Sequence, residues 1–206
     1  MVVEIKHPIV DRYLTILRDK SSDTRAFRMA MSNVGTVLAY HGLQDLPLSE
    51  TTIDTPIKAT RGYIMRDDVC IIPILRAGLS LVDGIMQFIP EAKVGHVGVY
   101  RDEETHQPVN YYDNLPDGIE NAYNLVVDPM LATGGSAIHA INFLKEKGAS
   151  QILFICLIAA PEGIKNLQEA HPDVKIVTAS VDEKLNEQAY IVPGLGDAGD
   201  RYFGTT

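Results

Sequence analysis

From residue 69 onward, apolar runs typical of strands alternate with amphipathic stretches typical of helices. Amphipathic stretches at 79–88, about 136–147 and 162–170 predict helices, and Gly148 is expected to end the second of them. Between them lie apolar runs that predict strands, at residues 69–74, 93–100, 123–128, 152–159 and 174–179. Strands apolar on both faces, alternating with helices, are typical of a parallel sheet covered on both sides. Such sheets bind ligands at the carboxyl ends of their strands, so the residues just after each strand are the first functional candidates.

The first 45 residues have a helical period instead. Pro8 opens a stretch with one apolar face, and a second stretch follows the Ser21-Ser22-Asp23 cluster, which is predicted to cap a helix. In the second stretch Phe27, Met31, Val34 and Leu38 are spaced by four, three and four residues. Residues 51–57 then predict a short extended segment, and Pro56 favours an edge position for it.

Composition and charge narrow the class of partner. The 206 residues predict one domain, and 27 Asp+Glu against 18 Lys+Arg give a net charge of -9. Nucleic acids and anionic membranes both require a basic surface, so neither is expected as a partner. Cys70 and Cys156 lie inside apolar runs and are expected to be reduced and buried. The N-terminus meets an acidic residue at Glu4 and has no long apolar stretch, so no signal peptide is expected and the sequence predicts a soluble, cytoplasmic protein.

The strongest chemical motif is the run LVVDPMLATGGS at residues 125–136. An apolar strand ends in Asp128, and a short loop reaches Thr133-Gly134-Gly135-Ser136 where a helix is predicted to begin. Glycines allow close approach of the backbone, and the free N–H groups of a helix N-terminus bind anions, so a monophosphate is the expected ligand. The spacing is not that of a Walker loop, because no lysine follows the glycines. An ordinary strand-to-helix turn with a serine cap remains the alternative.

Two arginines also follow predicted strands. Arg76 precedes Ala77-Gly78, and Arg101 opens a polar segment over residues 102–120. An arginine at this edge of a sheet is well placed to form two hydrogen bonds with a pyrophosphate, and a long polar segment is expected to act as a lid. The alternatives are a surface arginine on a turn and a loop without function.

The last motif is the glycine-rich run YIVPGLGDAGDRYFGT at residues 190–205. It contains a formal GxGxxG from Gly194 to Gly199, but only seven residues follow it, so the helix and strand of a dinucleotide-binding unit are not expected. Its acids, aromatics and glycines instead predict a segment that folds back onto the domain.

Together these motifs resemble the uracil phosphoribosyltransferase family, within the type I phosphoribosyltransferases. The resemblance rests on ILRAG, YRDEET, VVDPMLATGGSA, LIAAPEGI, AHPDV and YIVPGLGDAGDRYFGT, in that order along residues 72–205. It implies transfer of the ribose 5-phosphate of phosphoribosyl pyrophosphate (PRPP) to uracil, giving UMP and pyrophosphate with Mg²⁺ present. It also implies a homo-oligomer built on dimers and activation by GTP in some members.

The resemblance further implies which residues bind each substrate. PRPP would be bound by Arg76, Arg101, Asp128, Pro129, Met130, Leu131, Ala132, Thr133, Gly134, Gly135, Ser136 and Asp197. Uracil would be bound by Ile191, Gly196, Asp197 and Ala198. Arg76, Arg101 and Asp197 are the implied catalytic residues, and Asp197 is the candidate for holding Mg²⁺ through water.

The implied fold is α/β, with a Rossmann-like parallel-sheet core and a small hood. The core is expected over about residues 66–180, and the hood is expected from about 1–65 and 181–206. One departure from many type I members is Asp128-Pro129, where those members carry two adjacent acids; the uracil branch shares it. A purine transferase and an RNA-binding regulator are the alternatives. A purine transferase is expected to hold its base with an aromatic and a lysine, and residues 191–200 contain neither. An RNA-binding regulator needs a basic surface, which a net charge of -9 argues against.

Overall fold

The computed structural model describes residues 1–101 and 108–205 of the chain. The elements follow in the order β1 (Val2–Glu4), α1 (Pro8–Arg18), α2 (Thr24–Gly42), a 3₁₀ turn (Leu43–Asp45), β2 (Leu48–Asp54), β3 (Ala59–Met65), β4 (Val69–Leu75), α3 (Leu79–Phe88), β5 (Lys93–Val94), β6 (His96–Arg101), β7 (Pro108–Asn114), a second 3₁₀ turn (Ile119–Asn121), β8 (Tyr123–Val127), β9 (Met130–Leu131), α4 (Gly135–Glu146), β10 (Gln151–Ala159), α5 (Pro161–Ala170), β11 (Lys175–Val181), β12 (Lys184–Leu185), β13 (Ile191–Val192) and α6 (Ala198–Phe203).

A mostly parallel sheet forms the centre of the molecule and confirms the predicted fold class. Its strand order is β1-β11-β10-β8-β4-β6-β7, with β5 beside β4 and β9 beside β10. Every pairing in this sheet is parallel except that of β6 with β7. The carboxyl ends of β4, β6 and β8 therefore meet at one edge, which brings the segments that follow Leu75, Arg101 and Val127 together.

Both faces of the sheet are buried, as the apolar runs predict. Ile71, Leu125 and Leu153 are paired across β4, β8 and β10 and pack in one cluster with α1, α2 and α3. The neighbouring residues Ile72 and Phe154 point to the opposite face and pack with α4 and α5. Period-two alternation thus sends successive side chains into two separate apolar layers.

The N-terminal segment differs from its prediction as part of a hood. Strand β1 pairs with β11 in the central sheet, and Phe27 and Leu38 of α2 are fully buried against its face. The predicted cap is confirmed, because the Asp23 side chain accepts a hydrogen bond from the Ala26 N–H at 2.7 Å. An apolar stripe predicts a helix with one buried face but not the surface that covers it, which here is the central sheet. The remaining boundary between core and hood stays a prediction.

Two further segments differ from the sequence prediction. The polar segment after Arg101, predicted as a lid without regular structure, contains β7, which pairs antiparallel with β6 at the sheet edge; residues 102–107 lie outside the described residues. The predicted extended segment at 51–57 belongs to a larger two-stranded hairpin of β2 and β3, in which Ile53, Ile57 and Tyr63 are exposed. Strand β7 lies at the edge of the central sheet, and β2 and β3 form a separate two-stranded sheet, so neither segment needs the apolar pattern of a strand buried on both faces.

The cysteines agree with their prediction, since Cys70 and Cys156 are free and buried. Burial raises the pKa of the Cys156 thiol to about 12, so it stays protonated at neutral pH. Over residues 1–101 and 108–205, no helix has the length and apolar character needed to cross a membrane.

Candidate active site

A phosphate-sized cavity lies where β8 passes into α4. After Val127 the chain turns at Asp128, adds β9 to β10, and reaches Gly134, whose φ of 86° suits glycine. Helix α4 then begins at Gly135 with no side-chain cap, so its first N–H groups face the loop. The cavity holds about 80 Å³ and is lined by Asp128, Met130, Leu131, Ala132, Thr133, Gly134, Gly135, Ser136 and Ala137. The start of a helix without a side-chain cap therefore borders this cavity, an arrangement that suits an anion.

Helix α5 supports this loop from outside the cavity. A Cβ on Gly163 would lie 2.3 Å from the Ala132 carbonyl oxygen, so only glycine allows the helix to pack this closely. The Asn166 amide also donates to the Thr133 carbonyl at 2.9 Å. Sequence reasoning did not identify these two residues as part of the site. Gly163 could have been found as a glycine in the first turn of a predicted helix, which a close packing contact explains.

A second cavity, of about 230 Å³, adjoins the first and shares Asp128, Met130 and Ala132 with it. It is lined by Ala77, Asp128, Met130, Ala132, Ala189, Tyr190, Ile191, Gly196, Asp197, Ala198 and Gly199. The structure thus brings the C-terminal glycine-rich run beside the loop after β8. Ala77, Ala189, Tyr190 and Gly199 are lining residues that sequence reasoning did not name.

The C-terminal side of this cavity is built largely from main chain. Strand β13 delivers Ile191, and a loop with positive φ at Gly194 (64°) and Gly196 (79°) then leads into α6. Asp197 caps that helix, because its Oδ1 accepts a hydrogen bond from the Asp200 N–H at 2.8 Å. The positive φ values turn peptide groups in directions that residues other than glycine rarely adopt.

The Asp128 carboxyl has a pKa far above its ordinary value. Burial raises its pKa from 3.8 to about 7, and the hydrogen bond from the Met130 N–H at 3.3 Å lowers it only in part. Its charge is therefore only partly compensated in the free protein. A ligand with hydroxyl groups at this position would supply the missing donors.

The two predicted arginines are placed differently. Arg76 follows β4 and has 59% of its side chain exposed; its Nη2 lies 3.5 Å from Asp200 Oδ1 and its guanidinium 5.6 Å from the Phe203 ring centre. This contact puts Arg76 against α6, beside the cavity of about 230 Å³ rather than in its lining. The backbone of Arg101 ends β6, at the same edge of the sheet.

The acids at the site suit a hard cation held mainly by other ligands. Within residues 1–101 and 108–205, no group of three or more His, Cys, Asp or Glu side chains is arranged to hold a metal ion. Asp128 and Asp197 each accept a hydrogen bond from a backbone N–H with one carboxylate oxygen. Mg²⁺ keeps several waters and takes one or two carboxylates together with substrate phosphates, so this donor set fits it.

Comparison with known proteins points to one family. A family model described as uracil phosphoribosyltransferase matches residues 3–205. The uracil phosphoribosyltransferase of Enterococcus faecalis is 57% identical over 202 residues, covering 98% of this chain and 97% of that protein. That of Salinibacter ruber is 52% identical over 204 residues, covering 99% and 97%.

Solved structures agree on the fold. A protein from Aquifex aeolicus superposes with a TM-score of 0.94 at 36% identity, covering 100% of this chain and 99% of the other. The adenine phosphoribosyl transferase of Trypanosoma brucei superposes with a TM-score of 0.61 at 11% identity, covering 95% and 88%. The second similarity concerns the fold alone.

Proposed function

The chain belongs to the uracil phosphoribosyltransferase family, and from that premise we propose which of its residues carry out the reaction. The protein transfers the ribose 5-phosphate of PRPP to uracil, giving UMP and pyrophosphate in pyrimidine salvage. The observation that carries our assignment is the pair of adjoining cavities that share Asp128. One is lined by a helix N-terminus and the other by main chain, which suits the phosphate end and the base end of one nucleotide.

The phosphate end of PRPP is assigned to Thr133–Ser136. The N–H groups at the start of α4 and the hydroxyls of Thr133 and Ser136 donate to the 5-phosphate, and the partial positive charge of the helix N-terminus favours the anion. Met130, Leu131 and Ala132 line the cavities between this loop and the base. Pro129 lines neither cavity, so its expected contact with PRPP rests on the family resemblance alone. Asp128, at the junction, accepts hydrogen bonds from the ribose hydroxyls.

The base is assigned to main-chain groups of Ile191 and of Gly196, Asp197 and Ala198. Uracil presents two carbonyl acceptors and two N–H donors, which backbone N–H and C=O groups can match as neighbouring strands do. A pocket that hydrogen-bonds O4 and N3–H leaves polar groups unpaired when cytosine enters, because cytosine reverses that pattern. Such mismatches discriminate strongly, so cytosine is expected to be rejected.

The leaving pyrophosphate is assigned to Arg76 and Arg101. Bond cleavage at C1 builds positive charge on the ribose ring and negative charge on the pyrophosphate, so arginines aimed at the latter stabilise the transition state. Phosphoribosyltransferases generally use Mg²⁺ with PRPP, and the ion, when bound, neutralises pyrophosphate charge. Asp197 would hold it through water. Holding the base N1 near C1 supplies the remaining rate acceleration, by orientation.

Oligomerisation and regulation rest on the family resemblance. A homo-oligomer built on dimers agrees with the exposed apolar side chains of the β2–β3 hairpin, among them Leu48, Ile57 and Ile64. Activation by GTP is supported by the resemblance alone. The cytoplasmic location stays a prediction from the sequence.

The assignment of reaction and base is tested by an assay of several bases. Uracil, cytosine, adenine and hypoxanthine are each supplied with PRPP and Mg²⁺, with and without GTP, and pyrophosphate release is measured. We expect release with uracil, UMP as the product, and at most a trace with the other bases. No release with any pyrimidine would contradict the proposed function.

The role of Asp128 gives a pH prediction. The carboxylate form accepts hydrogen bonds from ribose hydroxyls more strongly than the protonated form, so kcat/KM for PRPP should rise with pH through about 7, where Asp128 ionises. In Asp128→Asn this limb should disappear and kcat/KM at pH 8 should fall by ~10-fold or more. The ionisation of PRPP itself affects both proteins equally, so the comparison isolates the side chain. An unchanged profile in Asp128→Asn would remove Asp128 from ribose binding.

Thermal unfolding of the same variant provides the control. Because the pKa is raised from 3.8 to about 7, the folded chain keeps a proton that the unfolded chain releases between these values. The free energy of unfolding of the wild type therefore falls as the pH rises through this window. Asp128→Asn lacks this loss, so its Tm should exceed that of the wild type by ~3 °C or more at pH 8 and match it near pH 4.

A further inference from the structure

The loop assigned to the base is held, on the side away from the cavity, by a partly buried ion pair. Arg18 ends α1, and its Nη1 donates to Asp182 Oδ2 and to the Gly194 carbonyl, both at 2.8 Å. Its Nη2 donates to Asp182 Oδ1 at 2.6 Å. The second oxygen of Asp182 also accepts from the Gly194 N–H at 2.9 Å. Both polar groups of the Gly194 backbone are therefore fixed by one pair of side chains that are 164 residues apart in sequence.

Asp182 lies where the chain leaves the central sheet for β12 and β13. Its N–H donates to the Ala159 carbonyl at 2.8 Å, which ties it to the end of β10. Its side chain is 2% exposed. Burial alone would raise its pKa, but hydrogen bonds from Arg18, Ser180 and the Gly194 N–H hold the pKa below its usual range. The carboxylate is thus a charged anchor at the base of the C-terminal hairpin.

A second arginine holds the next residue of the loop. Arg201 of α6 donates through Nη1 to the Leu195 carbonyl at 2.8 Å and through Nη2 to the Asp19 carbonyl at 2.6 Å. Its guanidinium also lies 4.4 Å from the centre of the Phe27 ring. Consecutive carbonyls, of Gly194 and Leu195, are therefore both directed towards arginines.

We propose that Arg18 and Asp182 are positioning residues for the base, because their ion pair fixes the backbone of Gly194 just ahead of the main-chain groups assigned to uracil. The inference rests on the proposed base site. A loop with positive φ at Gly194 and Gly196 has wide conformational freedom when it is not anchored. A base as small as uracil makes too few contacts to order such a loop on binding, so the loop must be ordered beforehand.

The Arg18–Asp182 ion pair differs from other internal polar contacts, such as that of His171, because it reaches the loop assigned to the base. Lys145 Nζ donates to His171 Nδ1 at 3.2 Å, but this contact joins α4 to the turn after α5 and does not reach a cavity-lining loop. Arg18 and Asp182 contact the loop one residue before Leu195 and two before Gly196. Their loss should therefore affect the base and leave the phosphate loop after β8 intact.

The test is the steady-state kinetics of Arg18→Met and Asp182→Asn in the full chain. We expect each to raise KM for uracil by ~10-fold or more while KM for PRPP stays within ~2-fold. In the double variant, KM for uracil should lie within ~2-fold of its value in the more impaired single variant, since both substitutions remove the same anchor. Arg18→Lys keeps the charge but not the paired N–H groups, so it should restore KM only in part. Arg12→Met is the matched control, because Arg12 is an exposed arginine of the same helix.

A purely structural role would give a different pattern. It would lower the Tm and the active fraction, and hence kcat, with both KM values unchanged. That pattern, or an equal rise in both KM values, would overturn the proposal. If neither single variant folds, Ser180→Ala removes one hydrogen bond to each partner and should raise KM for uracil by ~3-fold; no change there would also overturn it. Absence of UMP formation by the wild type would instead contradict the proposed function.

Discussion

Gly196→Val is expected to raise KM for uracil by ~100-fold or more, with PRPP binding within ~2-fold of the wild type. Gly196 has a φ of 79°, a value that a β-branched residue adopts only under strain. Space is not the obstacle, because the nearest atom to an added Cβ is Arg201 Cδ at 3.7 Å. The valine should instead turn the peptide groups of residues 196–198 away from the base. Separate titrations of PRPP and uracil measure the effect.

Gly118→Val is the matched control for this substitution. Gly118 has a φ of 86° with nothing within 4 Å of an added Cβ, and it lies outside both site cavities. It carries the same backbone cost without the main-chain contacts to uracil, so its KM for uracil should equal that of the wild type. Equal loss of uracil and PRPP binding in Gly196→Val would show that the base site is misassigned.

Arg76→Ala is expected to lower kcat/KM for PRPP by at least ~10-fold, through loss of charge-assisted hydrogen bonds to the pyrophosphate. In the free protein Arg76 is exposed and meets Asp200 only at 3.5 Å, so little folding stability depends on it. The Tm should accordingly change by less than ~2 °C. Initial rates at varied PRPP and saturating uracil measure the effect.

Arg66→Ala provides the comparison for Arg76. Arg66 just precedes β4, at the strand's amino end, and pairs with Asp67 at 2.8 Å with 54% of its side chain exposed. Because the amino end of the strand lies far from the ligand edge, its kinetics should match the wild type. If Arg76→Ala also matched the wild type, Arg76 would be a surface residue on a turn and the pyrophosphate would have to be bound elsewhere.

The sheet was predictable from sequence because its strands are apolar on both faces. A short run that is apolar throughout, such as the one at residues 152–159, is typical of a strand buried on both faces of a sheet. Strand β10 occupies Gln151–Ala159. Edge structures were less predictable. Strand β7 is polar and needs only one neighbour, so its sequence resembles a loop. The position of α2 against the sheet depends on contacts with α3 and β10, which its own apolar stripe does not specify.

The candidate site likewise contains residues that local sequence features predict and residues whose role depends on contacts between distant parts of the chain. The loop after β8 was found because phosphate binding needs local features, glycines and hydroxyls beside a helix start. The C-terminal run was connected to it through the family resemblance rather than through spacing. Arg18 and Asp182 were not found, because their role arises only when residues 164 positions apart are brought together. Gly163 and Tyr190 were missed for the same reason, since the close packing of Gly163 against Ala132 and the position of Tyr190 at the cavity arise only in the folded chain.

The most direct measurement of the site assignment is a crystal structure of the chain with UMP bound. We expect the 5′-phosphate within hydrogen-bond distance of the N–H groups of residues 133–136 and the ribose hydroxyls on Asp128. The uracil ring should contact main-chain groups of Ile191 and of residues 196–198. A phosphate bound at Arg76, or a base outside the cavity lined by Ile191 and Ala198, would contradict the account.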